Sequence, residues 1–214
     1  MTFPVADIQR DVRIALDYNP TSDALLGTAD VDTLTLEEVI LSKVEDASRL
    51  VILAAPQHLL DGGEPFAEQI VWESHPGYGM GSVPLPDDFL RLVTFKMSDW
   101  DLSVTSAITE DDPAYLVQRS RYPGLRGNPQ RPVAAVVMRP SGLVLEFFSC
   151  TQGPDVFIQR ARYIPIPRII AGAIDFPEKL RPAVIQMTAS LVAAATGQPD
   201  LAGLMRNAAN DLMQ

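Results

Sequence analysis

The side chains of this chain that could do chemistry are two histidines, one cysteine and several runs of carboxylates. His58 stands beside Pro56 near the end of a helical pattern, and His75 lies in Ser74-His75-Pro76 before a glycine-rich turn. Two imidazoles could contribute to a zinc or iron site, but neither falls in a ligand-spaced motif such as H-E-x-x-H, so both read as surface or capping residues. Asp30-Val31-Asp32 followed by Glu37 has part of a calcium loop, yet the required glycine and the remaining oxygen ligands are missing. Glu37/Glu38, Asp87/Asp88 and Glu110-Asp111-Asp112 could pose as acid and base. Adjacent carboxylates do not converge on one substrate, so they read as helix-start and loop residues.

Nucleophiles fare no better. No Gly-x-Ser-x-Gly elbow is present, and Cys150 closes the apolar run Leu143-Val144-Leu145-Glu146-Phe147-Phe148, the place of a packed thiol. As the only cysteine it can form neither an intrachain disulfide nor a Cys-based metal site by itself. Gly77-Tyr78-Gly79-Met80-Gly81 looks like a phosphate cradle. Val83-Pro84-Leu85-Pro86 follows it, however, where a nucleotide site needs a helix N-terminus, so it reads as a flexible loop before a strand. No catalytic residue, cofactor or metal is expected, and the chain reads as non-enzymatic.

Charge narrows the partners. A net charge of −10 and a pI near 4.6 oppose general binding to DNA phosphates. One segment departs from this average: Pro113 to Leu145 holds no Asp or Glu but carries Arg119, Arg121, Arg126, Arg131 and Arg139, with Tyr115 and Tyr122 among them. Arg with Tyr is the composition of protein interfaces and of nucleic-acid patches, and the acidic remainder offers a complementary surface on an identical neighbour. Self-assembly through Arg119, Arg121, Tyr122, Arg126 and Arg131 is therefore weighed first, above a solvated loop and above nucleic acid. No apolar run reaches about 18 residues and no signal-like N-terminus is visible, so neither membrane insertion nor classical export is expected.

The elements that would carry these residues follow from periodicity. Val5, Ile8, Val12 and Leu16 recur at helical spacing before Asn19-Pro20. Thr35 and Glu38 form a capping box ahead of a helix over 36–55, with Leu36, Ile40, Val44, Ala47 and Val51 on one face. From Phe66 to Pro167 the pattern changes to strands, at 68–73, 90–97, 102–108, 133–138, 143–148 and 156–163, with a hairpin at Pro140-Ser141-Gly142. Asp112-Pro113 opens a short helix between strands. Past Ile174 a helix with Pro177 at its first turn carries Leu180, Val184, Met187 and Leu191. A last one, capped by Asp200, presents Leu201, Leu204, Met205, Ala208 and Leu212. This predicts an α+β fold: a helical bundle made by the N- and C-terminal helices, residues 1–62 plus 172–214, with an inserted antiparallel β module over 63–171.

Leu85-Pro86-Asp87-Asp88-Phe89-Leu90-Arg91-Leu92-Val93, with the helical stretches Val39–Leu53 and Ala183–Met213, resembles the head-to-tail adaptor (connector) proteins of tailed phages, tail tubular protein A type. The resemblance covers most of the chain in the order of elements and three short stretches in sequence. It implies a virion structural protein without an active site, present in the host cytoplasm during assembly. It also implies a ring, typically of twelve copies, that docks on the portal protein, meets tail proteins and lets DNA pass through its channel without specific binding. By that analogy the Arg-rich segment lies in the β module. The alternative reading is a non-catalytic carbohydrate- or peptide-binding module of a bacterial protein, with Trp72, Tyr78, Trp100 and Tyr115 lining a groove.

Overall fold

The computed structural model describes residues 1–16, 35–60, 62–66, 69–73, 79–120, 122, 124–151 and 155–214. In chain order these form β1 (Thr2–Pro4), α1 (Val5–Ala15), α2 (Leu36–Ala54), β2 (Glu64–Pro65), β3 (Val71–Glu73), β4 (Gly79–Pro84), β5 (Phe89–Met97), β6 (Ile108–Thr109), α3 (Pro113–Val117), β7 (Ala134–Arg139), β8 (Gly142–Cys150), β9 (Ile158–Pro165), β10 (Ile169–Ile170), β11 (Ala173–Asp175), α4 (Arg181–Ala195) and α5 (Pro199–Asp211). The chain divides into two compact units, Met1–Asp61 with Ile166–Gln214, and Gly62–Pro165.

The expected helical bundle with a single inserted antiparallel β module is not what forms. Among the described residues, 11 strands in three sheets accompany 5 α-helices. One sheet, β1-β11-β10, belongs to the helical unit itself, and the β6–β7 pair is parallel. The physical reason is that β1, β10 and β11 are two or three residues long, too short to show a period. They exist by pairing across the length of the chain: Thr2 opposes Asp175, Phe3 opposes Ile174, and the Phe3 and Phe176 rings stack at 4.7 Å.

In this first unit α4 is the hub. It packs against α1, α2 and α5, and buries Ala183, Val184, Met187, Ala189, Val192 and Ala193 along with Thr188 and Ser190. Both hydroxyls are satisfied by backbone carbonyls, Thr188 on Val184 at 2.7 Å and Ser190 on Ala202 of α5 at 2.7 Å. The capping box forms as expected: the Glu38 amide donates to Thr35 Oγ1 and the Thr35 amide to Glu38 Oε2. That contact also lowers the Glu38 carboxyl below its ordinary range. Elsewhere the helix starts differ. Pro177 precedes a 3-10 turn (Glu178–Leu180), Pro182 opens α4, and α5 is preceded by Gln198, without a side-chain cap from Asp200.

The second unit is a sandwich of the sheets β2-β9-β5 and β3-β4-β8-β7-β6. Between them lie Leu92, Phe95 and Met97 of β5, Ala161 and Tyr163 of β9, Val83 of β4, and Leu145 and Phe147 of β8, closed by Phe66 and Trp100. The other face of the five-stranded sheet carries a second core, Met80, Ala135, Val137, Val144 and Phe148, covered by Tyr115 of α3. Because β8 is buried on both sides, its sequence is nearly continuously apolar instead of alternating. The glycine run read as a flexible loop enters this sheet. Gly81 lies in β4, where an added Cβ would sit 2.6 Å from the Phe147 ring and 2.9 Å from the Val71 carbonyl. Gly77 and Tyr78 fall outside the described residues.

Two predictions follow from backbone and burial. Ala171 (φ 51°) and Gly172 (φ 76°) form the two-residue turn between β10 and β11, a type I′ geometry that alanine adopts only at a cost. Ala171→Asn should raise the unfolding free energy by about 0.5–1 kcal/mol, read from denaturant midpoints; an unchanged or lower midpoint refutes the strain. Cys150 is buried, and burial first, then Asp99, pushes its thiol above the ordinary value of 9.0. The unfolded thiol therefore ionises before the folded one. Stability is intact below roughly pH 8.5 and is lost as pH rises, by up to about 1.4 kcal/mol per pH unit. Cys150→Ala should flatten the early part of that alkaline loss in pH-dependent melts.

Candidate functional site

The arginine-rich segment starts from a buried charge on β8. Alternation along β8 sends Leu145 and Phe147 to the inter-sheet core and Val144, Glu146 and Phe148 to the other face, so the Glu146 carboxylate lies beneath α3 with 3% of its side chain exposed. An unpaired carboxylate there would cost several kcal/mol. It is instead surrounded. Tyr115 Oη donates to Oε2 at 2.8 Å, and Arg139 Nε donates to Oε1 at 2.8 Å while a terminal guanidinium nitrogen meets the same oxygen. A terminal nitrogen of Arg139 also donates to Tyr115 Oη at 3.0 Å. Arg119 stands 3.7 Å from Oε2 and 3.7 Å from Glu73 of β3, and Arg139 reaches Glu110 at 4.0 Å. Burial, reinforced by the Glu146 hydrogen bond, raises the Tyr115 phenol above its ordinary value, and the bond to Glu146 raises Arg139.

This brace determines how α3 is presented. Asp112 caps the helix, accepting from the Ala114 amide at 2.8 Å, and Pro113 follows at its first turn, as expected. Gln118, buried, donates to the Ala114 carbonyl and accepts the Gly127 amide at 2.8 Å, tying the following turn back to the helix. Gly127 is needed at that point, since a Cβ would fall 2.4 Å from Ser149 Oγ. With Tyr115 turned inward, its neighbours turn out: Leu116 is 78% exposed and Leu125 60%, with Val117 and Tyr122 also exposed.

The five residues expected at an interface therefore separate. Arg119 is half-exposed and shared between Glu73 and Glu146, while Tyr122 and Arg131 are exposed and Arg126 is half-buried. Arg121 lies outside the described residues. Sequence reasoning gave Glu146 no role and gave Tyr115 an outward one, in an interface or a groove, whereas Tyr115 is buried on Glu146. The signal available was the single charge inside an apolar strand, which requires a cation nearby, and Arg139 stands across the hairpin. It also missed the outward leucines, which declare themselves only once Tyr115 is known to face in.

The other candidates do not assemble. His58 is exposed in a 3-10 turn (Gln57–Leu59), whereas His75, Asp30 and Asp32 are outside the described residues. Glu37 pairs with Arg13 at 2.8 Å, and Asp88 accepts the Tyr163 hydroxyl at 2.9 Å. Of the aromatic groove, Trp100 and Tyr115 are buried in the two cores, Trp72 packs edge-on against Phe147, and Tyr78 is not described. A cleft of about 320 Å³ in the first unit is lined by Glu45, Asp46, Arg49 and residues 166–170. Its charges are two carboxylates, Glu45 and Asp46, and two arginines, Arg49 and Arg168, and Glu45 already accepts the Ile169 amide. Among the described residues no group of three or more His, Cys, Asp or Glu could hold a metal, and no helix is long and apolar enough to cross a membrane. The chain matches no family model and no curated protein.

Removing Tyr115 Oη leaves Glu146 a bond short, so Tyr115→Phe should cost about 1–2 kcal/mol, and Glu146→Gln about 2–3 kcal/mol because Arg139 can rehydrate. Hydrogen exchange should speed up in α3 and residues 124–131 before the rest of the sandwich. Uniform protection in both variants would mean that Glu146 does not hold α3.

Proposed function

We propose that this chain is a structural subunit of a tailed-phage or prophage virion, a head-to-tail adaptor that assembles as a ring, docks on the portal and connects capsid to tail. One observation carries the reading: a rigidly braced surface on α3 and the turn after it exposes Leu116, Val117, Tyr122 and Leu125 within ten residues, in the stretch that has arginines and no carboxylate. Exposed large apolar groups grouped with Arg and Tyr have the composition of a protein-binding surface. The resemblance carried by Leu85–Val93 supplies the kind of assembly. In the fold this segment is the turn that launches β5, with Phe89 stacked on Tyr163 at 5.9 Å and Asp88 bound to the same tyrosine.

An adaptor needs broad contacts with neighbours, portal and tail, and its individual contacts can be weak because a ring multiplies them. The acidic charge suits a channel that DNA crosses without adhering. Arg119 serves the fold through Glu146, and the exposed side chains of Leu116, Val117, Tyr122, Leu125 and Arg131 are the groups offered to a partner.

A portal gene is expected in the neighbourhood of this one, and its product, mixed with the purified chain and viewed by negative stain or co-sedimented, should gain an added ring; a neighbourhood without a portal gene counts against the reading. Leu116→Asp with Leu125→Asp should lower that uptake by about tenfold or more while the thermal melt is unchanged. A verified portal that gains nothing from the unsubstituted chain overturns the adaptor reading.

A further inference from the structure

The outer face of the three-stranded sheet β2-β9-β5 runs against the charge of the chain. Phe95 and Met97 of β5 and Ala161 and Tyr163 of β9 belong to the inter-sheet core. Alternation along the two strands therefore sends Lys96, Arg160 and Arg162 to the other side. The register sets Lys96 directly opposite Arg160, and Thr94 opposite Arg162. Beyond β5, Phe95 and Val104 exchange both backbone hydrogen bonds at 2.8 Å, and Val104 also joins the core, so Ser103 and Thr105 flank the outer face with their hydroxyls.

Like charges directly opposite each other in an antiparallel ladder repel, and a nearby carboxylate would relieve them. None is supplied by the strands themselves: neither β5, β9 nor residues 102–107 contain an Asp or Glu. Glu64 and Asp88, on the neighbouring strand and turn, act instead on the Tyr163 phenol. Among the described residues Lys96 and Arg160 have no ion pair, and Arg162 donates to the Gly62 and Gly63 carbonyls at 3.1 and 3.3 Å. Arg160 and Arg162 are exposed and Lys96 is half-buried. The cluster thus lacks its anion.

Guanidinium, ammonium and hydroxyl groups are the ones that meet phosphates. Arg160 and Arg162 lie two residues apart on one strand, about 6.8 Å, so the cations form a row on a flat sheet, which suits a partner that repeats its charge. A protein partner would need an aromatic or aliphatic anchor, and an unpaired base a ring to stack on. Here the rings and apolar groups among the cations, Phe95, Met97 and Ala161, are buried on the inner face. We infer that the outer face of β5 and β9 takes the phosphodiester backbone of double-stranded nucleic acid, through Lys96, Arg160 and Arg162. The net charge of −10 opposes contact elsewhere, so the contact is confined to about three phosphates and is weak, independent of base sequence and sensitive to salt. The inference goes beyond the adaptor reading and does not rest on it.

Anisotropy of short fluorescent DNA duplexes mixed with the full chain at rising salt concentrations tests it. Duplexes of unrelated sequence should bind alike, with a slope of log affinity on log salt of about −3, from three neutralised phosphates. Lys96→Gln with Arg160→Gln should weaken binding about tenfold at low salt and reduce the slope by about two. Arg49→Gln with Arg206→Gln, exposed arginines of the first unit, should leave it unchanged. Because it relieves a repulsion, the Lys96/Arg160 variant should melt at or above the parent's temperature. No binding by the folded parent at low salt, an equal loss in both double variants, or a lower melt that assigns the two cations to the fold overturns the inference. So does a polyglutamate competitor that displaces the duplex more effectively than unlabelled DNA, which would make the partner an acidic protein.

Discussion

A carboxylate buried in the middle of a strand is the constraint on which the second unit depends. Glu146 sits on β8 between Leu145 and Phe147, and its charge can be tolerated there only with cations and hydroxyl donors brought to it. Meeting that demand takes Tyr115 from α3, Arg139 from the end of β7 and Arg119 from beyond the helix, which ties three stretches of chain to one pair of oxygens. A well-packed apolar residue could stabilise the sheet as well or better. What the charge adds is direction: α3 has one way to lie that satisfies it, and that way puts Leu116 and Val117 in solvent.

The same sheet explains why the second unit has two cores. A strand buried on both faces separates an inter-sheet core rich in aromatic rings from a smaller core under α3. Each core is sealed at its margin by loops or a short helix, and those margins carry the exposed apolar groups.

Much of the fold was legible where a local pattern carried the signal. The Thr35–Glu38 capping box and the helix over Leu36–Ala54 followed from residues within one turn of each other, as did the Asp112-Pro113 start and the hairpin ending at Gly142. What escaped depends on partners far away in sequence. β1 and β11 are three residues each and form a sheet only by meeting across the chain. Gly79 and Gly81 read as a loop because glycine permits one, yet Gly81 is in a strand since only a residue without a side chain fits beside Phe147 and Val71.

α5 shows the limit most clearly. Its leucines, Leu201, Leu204 and Leu212, mark an apolar stripe by sequence, and a stripe is normally the buried face. Instead Ala202 and Ala209 are the buried alanines of α5, which packs on α4, and the Ser190 hydroxyl of α4 reaches the Ala202 carbonyl. Leu201, Met205 and Ala208 are half-buried and Met213 is buried, so the covered face of α5 is rotated away from Leu204 and Leu212. Leu204 and Leu212 are then left exposed. Periodicity reports that a face is apolar; it does not report which neighbour has the complementary shape. The faces that the fold leaves uncovered, such as that of Leu204 and Leu212, are the ones open to contact with other molecules.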